Sequence, residues 1–284
     1  MSTNPEAPAP QPAAGGLAEL QTLARRIRGA VIEMSHRANT PHLGSSLSCV
    51  DMVVAAYWGA LALDPRRPAD PQRDRFLLSK GHAATTLYAA LAYRGFFPEH
   101  LLQDFNRPGS KLPEHPTLGL PGVEAATGSL GHGLSIGIGM ALAGRIQRQP
   151  FRVYALLSDG ECNEGSVWEA AMMASAQRLE RLCIMVDYNK WQATGRSDDT
   201  LALAPLAGKW AAFGWSVSEL DGHDVATLRD RLRQVPDGSG RPVALICHTV
   251  KGKGVSFMED DNNWHYRVPN AEEVAAARVE LGLA

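Results

Sequence analysis

Four short apolar runs constrain this chain more than any other feature of its sequence. They are Phe76-Leu77-Leu78 and the segments 153–157, 182–186 and 243–248, each about a strand long. Between them lie stretches whose apolar residues recur at helical spacing, at 18–37, 49–60, 134–146, 166–177 and 225–235, with an alanine-rich helix running to about Tyr93. Strands alternating with helices build a parallel sheet whose crossovers cover it. The expected fold class is therefore α/β, a parallel sheet with helices on both faces. A turn is expected at Gly44-Ser45-Ser46, and residues 104–127, which have no periodicity and several Pro and Gly, read as a long loop. Residues 1–16 are dominated by Pro, Ala and Gly and are expected to be a disordered tail. That leaves 17–284 as one folded domain, and 45% hydrophobic residues supply it with a substantial core.

Composition excludes several functions. The net charge is -2 and no Lys/Arg run is sustained, so the surface lacks the phosphate-neutralising stripe of a nucleic-acid binder. No apolar run approaches the ~20 residues of a membrane span, and the N-terminus lacks the basic and apolar regions of a signal peptide. Cys49, Cys162, Cys183 and Cys247 are widely spaced among apolar residues, which fits reduced buried thiols and a cytoplasmic location better than a disulfide framework.

The most informative pattern is Ser158-Asp159-Gly160-Glu161 followed by Asp187-Tyr188-Asn189. Each segment lies just after an expected strand, and one helix joins the two strands. A βαβ unit would bring Asp159 and Asn189 together at the carboxyl edge of the sheet, where open α/β sheets bind ligands. A carboxylate, an amide oxygen and a backbone carbonyl are hard ligands suited to Mg²⁺, which shares its remaining positions with phosphate oxygens and water. Gly160 permits close approach of the backbone, and the following helix start offers free N–H groups to an anion. Read singly, each segment is no more than a strand-ending turn; the spaced pair points to a metal and diphosphate site.

These segments resemble the Gly-Asp-Gly…Asn signature of thiamine-diphosphate enzymes, with Ser158 in place of the first Gly. The resemblance is to transketolases in particular. His42-Leu43-Gly44-Ser45-Ser46-Leu47-Ser48 looks like their His-Pro-Gly-Gly-Ser-Leu-Ser loop, and Leu78-Ser79-Lys80-Gly81-His82-Ala83 matches another signature in full. Glu114-His115-Pro116 stands where the family has Gly-His-Pro. Gly128-Ser129-Leu130-Gly131-His132-Gly133 is similar to its Gly-Pro-Leu-Gly-Gln-Gly, and Glu164-Gly165, Glu169-Ala170, Lys251-Gly252-Lys253-Gly254 and Trp264-His265 complete the series. The ordered matches run from about residue 35 to 265.

The resemblance implies a thiamine-diphosphate-binding fold of the diphosphate-binding type, with thiamine diphosphate and Mg²⁺ as cofactors. It assigns Mg²⁺ to Asp159, Asn189 and the Trp191 carbonyl. His82, Gly160 and Lys251 would lie near the diphosphate, and Gly128 and Leu130 beside the aminopyrimidine; Lys80 either pairs with a surface acid or, as its place in the matching segment implies, belongs to the cofactor-binding active site. His42, His82, His115 and His265 match the family's active-site histidines, a residue type able to donate or accept a proton near neutrality. His132, where the family has Gln, is either a cofactor-side donor or a structural hydrogen bonder. Glu164 either complements a helix dipole or joins a carboxylate link between two active sites.

Transketolases usually run to more than twice this length, and their second domain supplies the glutamate that activates the cofactor's pyrimidine. The matches here cover only the first domain. The expectation is therefore a partner subunit carrying the pyrimidine-binding half, in an α₂β₂ assembly that transfers a two-carbon ketol group between sugars or sugar phosphates. The competing readings are the α-subunit of a 2-oxo acid dehydrogenase and a non-catalytic cofactor-binding subunit.

Overall fold

The computed structural model of the protein describes residues 16–284, so the tail expected at the N-terminus lies, Gly16 apart, outside the described residues. Helix α1 (Leu17–Ala38) buries Leu20, Ala24, Ile27, Val31 and Met34, a stripe at i+3 and i+4 steps. It stops where Asn39 turns left-handed (φ 51°) and its N–H reaches back to the last helical carbonyls. The expected turn at Gly44-Ser45-Ser46 is instead helix α2 (Leu43–Ser48). The serines tolerate a helix because their hydroxyls bond its carbonyls, Ser46 Oγ to His42 at 3.1 Å and Ser48 Oγ to Ser45 at 3.0 Å. The helix expected over 49–60 is present as α3 (Val50–Val54) running into a π-helical turn over Ala55–Ala60.

Five parallel strands follow: β1 (Arg75–Leu78), β2 (Val153–Ser158), β3 (Leu182–Tyr188), β4 (Ser216–Asp221) and β5 (Val243–His248), ordered β1-β2-β3-β5-β4. Helix α4 (Ala84–Arg94) and α5 (Gly133–Ile146) lie between β1 and β2, and α6 (Gly165–Ala176) between β2 and β3. The short α7 (Ser197–Thr200) and α8 (Leu206–Ala212) precede β4, α9 (Val225–Arg233) joins β4 to β5, and α10 (Ala271–Glu280) ends the chain. The β2-α6-β3 and β4-α9-β5 crossovers run in opposite directions across the sheet. Right-handed connection therefore puts their helices on opposite faces.

The period of two along the strands divides the core accordingly. Tyr154, Leu156, Cys183, Met185, Leu245 and Cys247 pack with α1, α3, α4 and α9 on one face. Val153, Ala155, Leu157, Ile184, Val186 and Ile246 pack with α5, α6 and α8 on the other. The cysteines are all buried and unpaired. Among the described residues no helix is long and apolar enough to cross a membrane.

Sequence reading misses β4, a partly exposed edge strand with alternating polar residues that pairs only with β5. It also misses α8 and α10, the latter opened by an Asn270–Glu273 capping box. The loop expected over 104–127 is real: no helix or strand occurs over 105–132. Trp210 of α8 is fully buried against Trp168 and Trp215. Trp210→Ala should lower unfolding stability by about 3–5 kcal/mol, read as a lower urea midpoint with the secondary structure retained.

Candidate active site

All the chemistry-bearing residues singled out in the sequence leave the sheet at its carboxyl edge or in the loops above it. The edge is tied together from below by one buried ion pair. Lys80, one turn past β1, donates its ammonium to Asp187 at the end of β3, and both side chains are wholly inaccessible to solvent. The ammonium also bonds the Ser45 carbonyl at 2.8 Å. Asp187 further accepts from Ser48 Oγ of α2 at 2.6 Å, from Thr249 Oγ1 just after β5, and from Asn189 Nδ2 at 3.3 Å. Burial alone would neutralise both members. Lys80 outweighs it for Asp187, and Asp187 outweighs it for Lys80, so the carboxylate pKa is held down and the ammonium pKa up. The sequence reading leaves Lys80 as a partner of a surface acid or a cofactor-binding residue; its ammonium is held by the buried Asp187 carboxylate and the Ser45 carbonyl.

Asp159 has no such cation. It is completely buried, and it accepts only neutral donors: Gly160 N at 2.9 Å on Oδ1, and Lys190 N and Ser197 Oγ, both at 2.8 Å, on Oδ2. Burial and the nearby Asp187 charge push its pKa up to about 7. Asp159 and Asn189 meet across neighbouring strands, whose pairing extends through the Asp159 N–H to the Asp187 carbonyl at 3.2 Å. The Asn189 side-chain oxygen accepts from Trp191 N at 3.1 Å, and Lys190 between them turns left-handed (φ 68°). A buried carboxylate lacking a positive partner, next to amide and carbonyl oxygens, is the donor set of a hard divalent cation. Among the described residues no group of three or more His, Cys, Asp or Glu is placed to hold a metal, so the set has this single carboxylate. Beside it the Gln192 Nε2 is buried without a hydrogen-bond partner, a free donor for an anion, and its side chain covers Gly160. Mg²⁺ with a diphosphate fits this ground.

Four imidazoles come together above it. His42, at the start of α2, has ring centroids of His265, His82 and His115 at 5.2, 5.4 and 6.2 Å, and His82 and His265 are 6.0 Å apart. Backbone fixes their meeting: the His42 N–H donates to the His265 carbonyl at 2.8 Å. A Cβ at Gly81 would lie 2.6 Å from the Thr127 carbonyl carbon, so only glycine lets the His82 turn nest against Thr127-Gly128. At Gly128 (φ +153°) a Cβ would press on the His115 ring at 2.9 Å. Three of the four rings, those of His42, His82 and His265, have lowered pKa values. Burial, then Lys80, keeps the His82 pKa well below its usual value; burial and Lys251 bring His265 to about 3. Lys251, itself lowered to about 8 by burial and by Lys80, donates to Asn262 Oδ1 at 2.7 Å and lies 3.1 Å from His265 Nδ1.

The family described as the thiamine diphosphate binding domain of transketolase matches residues 20–284. The chain belongs to the transketolase family. It is 38% identical over 263 residues to a Phocaeicola vulgatus protein named as one component of an apulose-4-phosphate transketolase, covering 93% of each chain. It is 41% identical to a 6-deoxy-6-sulfo-D-fructose transketolase subunit of a Clostridium species, covering 93% of this chain and 96% of that one. The crystal structure of transketolase from Campylobacter jejuni superposes with a TM-score of 0.87 at 27% identity, over 94% of this chain and 43% of the other. The chain thus spans nearly the whole of the named subunits and about two fifths of the solved transketolase. Transketolases use thiamine diphosphate with a divalent metal, the pair of cofactors that the sequence pointed to.

Set against these transketolase positions, the expected residues divide into three groups. His42, His82, His115 and His265 converge, with Lys251 adjoining; Asp159, Gly160, Asn189 and Trp191 line the strand ends beneath. Gly128 adjoins His115, and Leu130 is half-buried in the same turn. Glu164 is exposed at the start of α6, against Gly131, on the outer rim. His132 is exposed and folds back on the Ser129 and Leu130 carbonyls at 3.3 and 3.0 Å, the structural of its two readings.

Sequence reasoning missed Gln192 and Glu161. Glu161 is a buried carboxylate that accepts from Ser79 Oγ, Gly131 N at 2.9 Å and Ser158 N at 3.3 Å, stitching three site loops together. Its adjacency to Asp159-Gly160 was the available signal.

Two measurements test this electrostatic layout. Lys80→Met strands Asp187 as a buried unpaired charge and should cost about 3–5 kcal/mol; adding Asp187→Leu should recover much of the loss in a denaturation series. The raised Asp159 pKa means that the folded state holds a proton there which the unfolded state releases near pH 3.8. The stabilisation it contributes is complete below that pH and is lost as pH rises through about 7. Mg²⁺ competes with this proton, so the Tm rise it causes should be larger at about pH 8 than at about pH 6, and absent in Asp159→Asn. Equal rises at the two pH values would contradict the layout.

Proposed function

We propose that this chain is the diphosphate- and Mg²⁺-binding subunit of a two-component transketolase. With a partner supplying the pyrimidine-binding half, in an α₂β₂ assembly, it transfers a two-carbon ketol group from a ketose or ketose phosphate to an aldose or aldose phosphate. The observation that carries this reading is the convergence of four imidazoles beside a buried carboxylate that has no ion-pair partner among the described residues. A subunit that only bound cofactor would leave those imidazoles without a task.

In this reading Asp159, Asn189 and the Trp191 carbonyl hold Mg²⁺, while Gly160, His82, Lys251 and the free Gln192 amide face the diphosphate. Gly128 and Leu130 flank the pyrimidine. The chemistry supplied by bound thiamine diphosphate is a nucleophilic carbon and an electron sink for cleaving the bond beside the ketose carbonyl. The protein supplies position and proton traffic. Burial lowers the pKa of His42, His82 and His265, so each keeps a ring nitrogen free to bond a sugar hydroxyl near neutrality, and His115 joins them in the same ring of imidazoles. The four rings are half-buried in this chain, and cover contributed by a partner would limit the water that competes for those hydroxyls. Lys80 is a positioning residue acting through Asp187, and Glu164 on the rim belongs to a carboxylate link toward a second active site. The relatives' names specify ketoses carrying phosphate or sulfonate, and for this chain the anionic group is assigned to the partner's side.

Donor-ketose consumption measured with thiamine diphosphate and Mg²⁺ should be undetectable for the chain alone and appear on co-expression with the product of a neighbouring reading frame. Asp159→Ala should abolish it. His265→Ala should lower kcat/KM by roughly 10²–10⁴-fold, the range for losing a positioned acid or base. Turnover by the isolated chain, or full activity of Asp159→Ala in the complex, would refute the assignment.

A further inference from the structure

Where the transketolase signature has glycine before its third histidine, this chain has Glu114. The backbone does not ask for glycine here, because Glu114 is not among the residues with positive φ. The substitution places a carboxylate at the imidazole ring: Glu114 Oε1 lies 3.5 Å from His42 Nδ1, with 34% of the glutamate side chain exposed and 18% of the histidine's. His42 Nδ1 is itself buried and has no hydrogen-bond partner among the described residues. At 3.5 Å the carboxylate lies at the outer edge of hydrogen-bond range from a neutral imidazole. A small rotation of the partly exposed glutamate closes the gap, as such contacts close in loaded active sites.

We propose that Glu114 is a positioning residue that fixes His42 in its Nδ1–H tautomer, so that Nε2 presents a lone pair to the sugar, and makes that nitrogen a stronger base than the family's glycine would allow. The logic is that of any histidine whose one ring nitrogen is held by a carboxylate: the acceptor sits at the other. The groups facing His42 from all sides are Glu114 and His115 of the long loop, His82 after β1, and Lys251 and His265 after β5. Glu114 is the one acid among them. Burial, His115 and Lys251 lower the His42 pKa, and Glu114 opposes them. Without Glu114 nothing in the ring offsets the loss of basicity, and neither tautomer of His42 is preferred.

The assignment of the tautomer is independent of the proposed activity; its kinetic consequence rests on that activity. The full-length chain, labelled with ¹⁵N-histidine, is followed by long-range ¹H–¹⁵N correlation over a pH series, alone and in the complex with its partner. His42→Asn identifies the His42 signals. The native protein should show His42 Nδ1 protonated. In Glu114→Gln and Glu114→Gly the His42 titration should move to lower pH, and in Glu114→Gly, which leaves no acceptor, its Nδ1 and Nε2 shifts should converge toward mixed tautomers. Thermal melts check that both variants fold. In the active complex the acid limb of the kcat/KM profile should move the same way, a change that loss of mere packing would not cause. An unchanged His42 titration in folded Glu114→Gln, or unchanged His42 nitrogen shifts in folded Glu114→Gly, would overturn the proposal. A complex without any ketol transfer would instead refute the proposed function and leave the spectroscopic result to decide the role of Glu114.

Discussion

The contact between Lys80 and Asp187 is the one on which the rest of the site depends. Lys80 belongs to the exit of β1 and Asp187 to the end of β3, two strands apart, and the carboxylate also gathers Ser48 of α2 and Thr249 after β5. One buried charge pair thus sets the relative heights of four chain segments at the carboxyl edge. Such a pair is a poor source of net stability, since desolvation consumes most of its attraction. It specifies a geometry instead, because any slip among those segments leaves a charge or a hydroxyl unpaired in the interior.

The same pair governs the electrostatics around it. Asp187 is a like charge beside Asp159 and adds to the effect of burial, raising the Asp159 pKa to about 7. Lys80 lies close enough to His82 and Lys251 to lower both. A buried cation on one side and a buried acid without an ion-pair partner among the described residues on the other polarise the edge of the sheet: acidic at the proposed metal site, with His42, His82 and His265 made less basic at the proposed sugar site. Preorganisation of this kind spares the site the cost of reorienting dipoles later.

Much of this was legible in the sequence, for reasons that differ by residue. β2, β3 and β5 were visible because central strands are apolar on both faces. β4 was not, because Ser216, Ser218, Glu219 and Asp221 at the sheet edge look like loop residues. The serines of α2 read as a turn until the hydroxyls are seen bonding the helix's own carbonyls. Asp159, Asn189 and the histidines were found through a spaced motif and a family resemblance, which identify positions without orienting side chains. That limit is why the pairing of Lys80 with a buried rather than a surface acid, the exposed position of Glu164 and the buried role of Glu161 needed coordinates.

The residues gathered at the carboxyl edge span His42 to His265 in the chain and are held by strands that are not neighbours in sequence. Such long-range closure is assembled late, since each distant contact must first overcome chain entropy. Lys251 and His265 are synthesised after the Asp159 and Asn189 segments, so the growing chain carries the Lys80 and Asp187 charges before the segment that completes their cover. The edge can close only once that later segment has docked. In the interval before β5 docks, the half-built edge, with its exposed apolar strand flanks, is where chaperones would find their work.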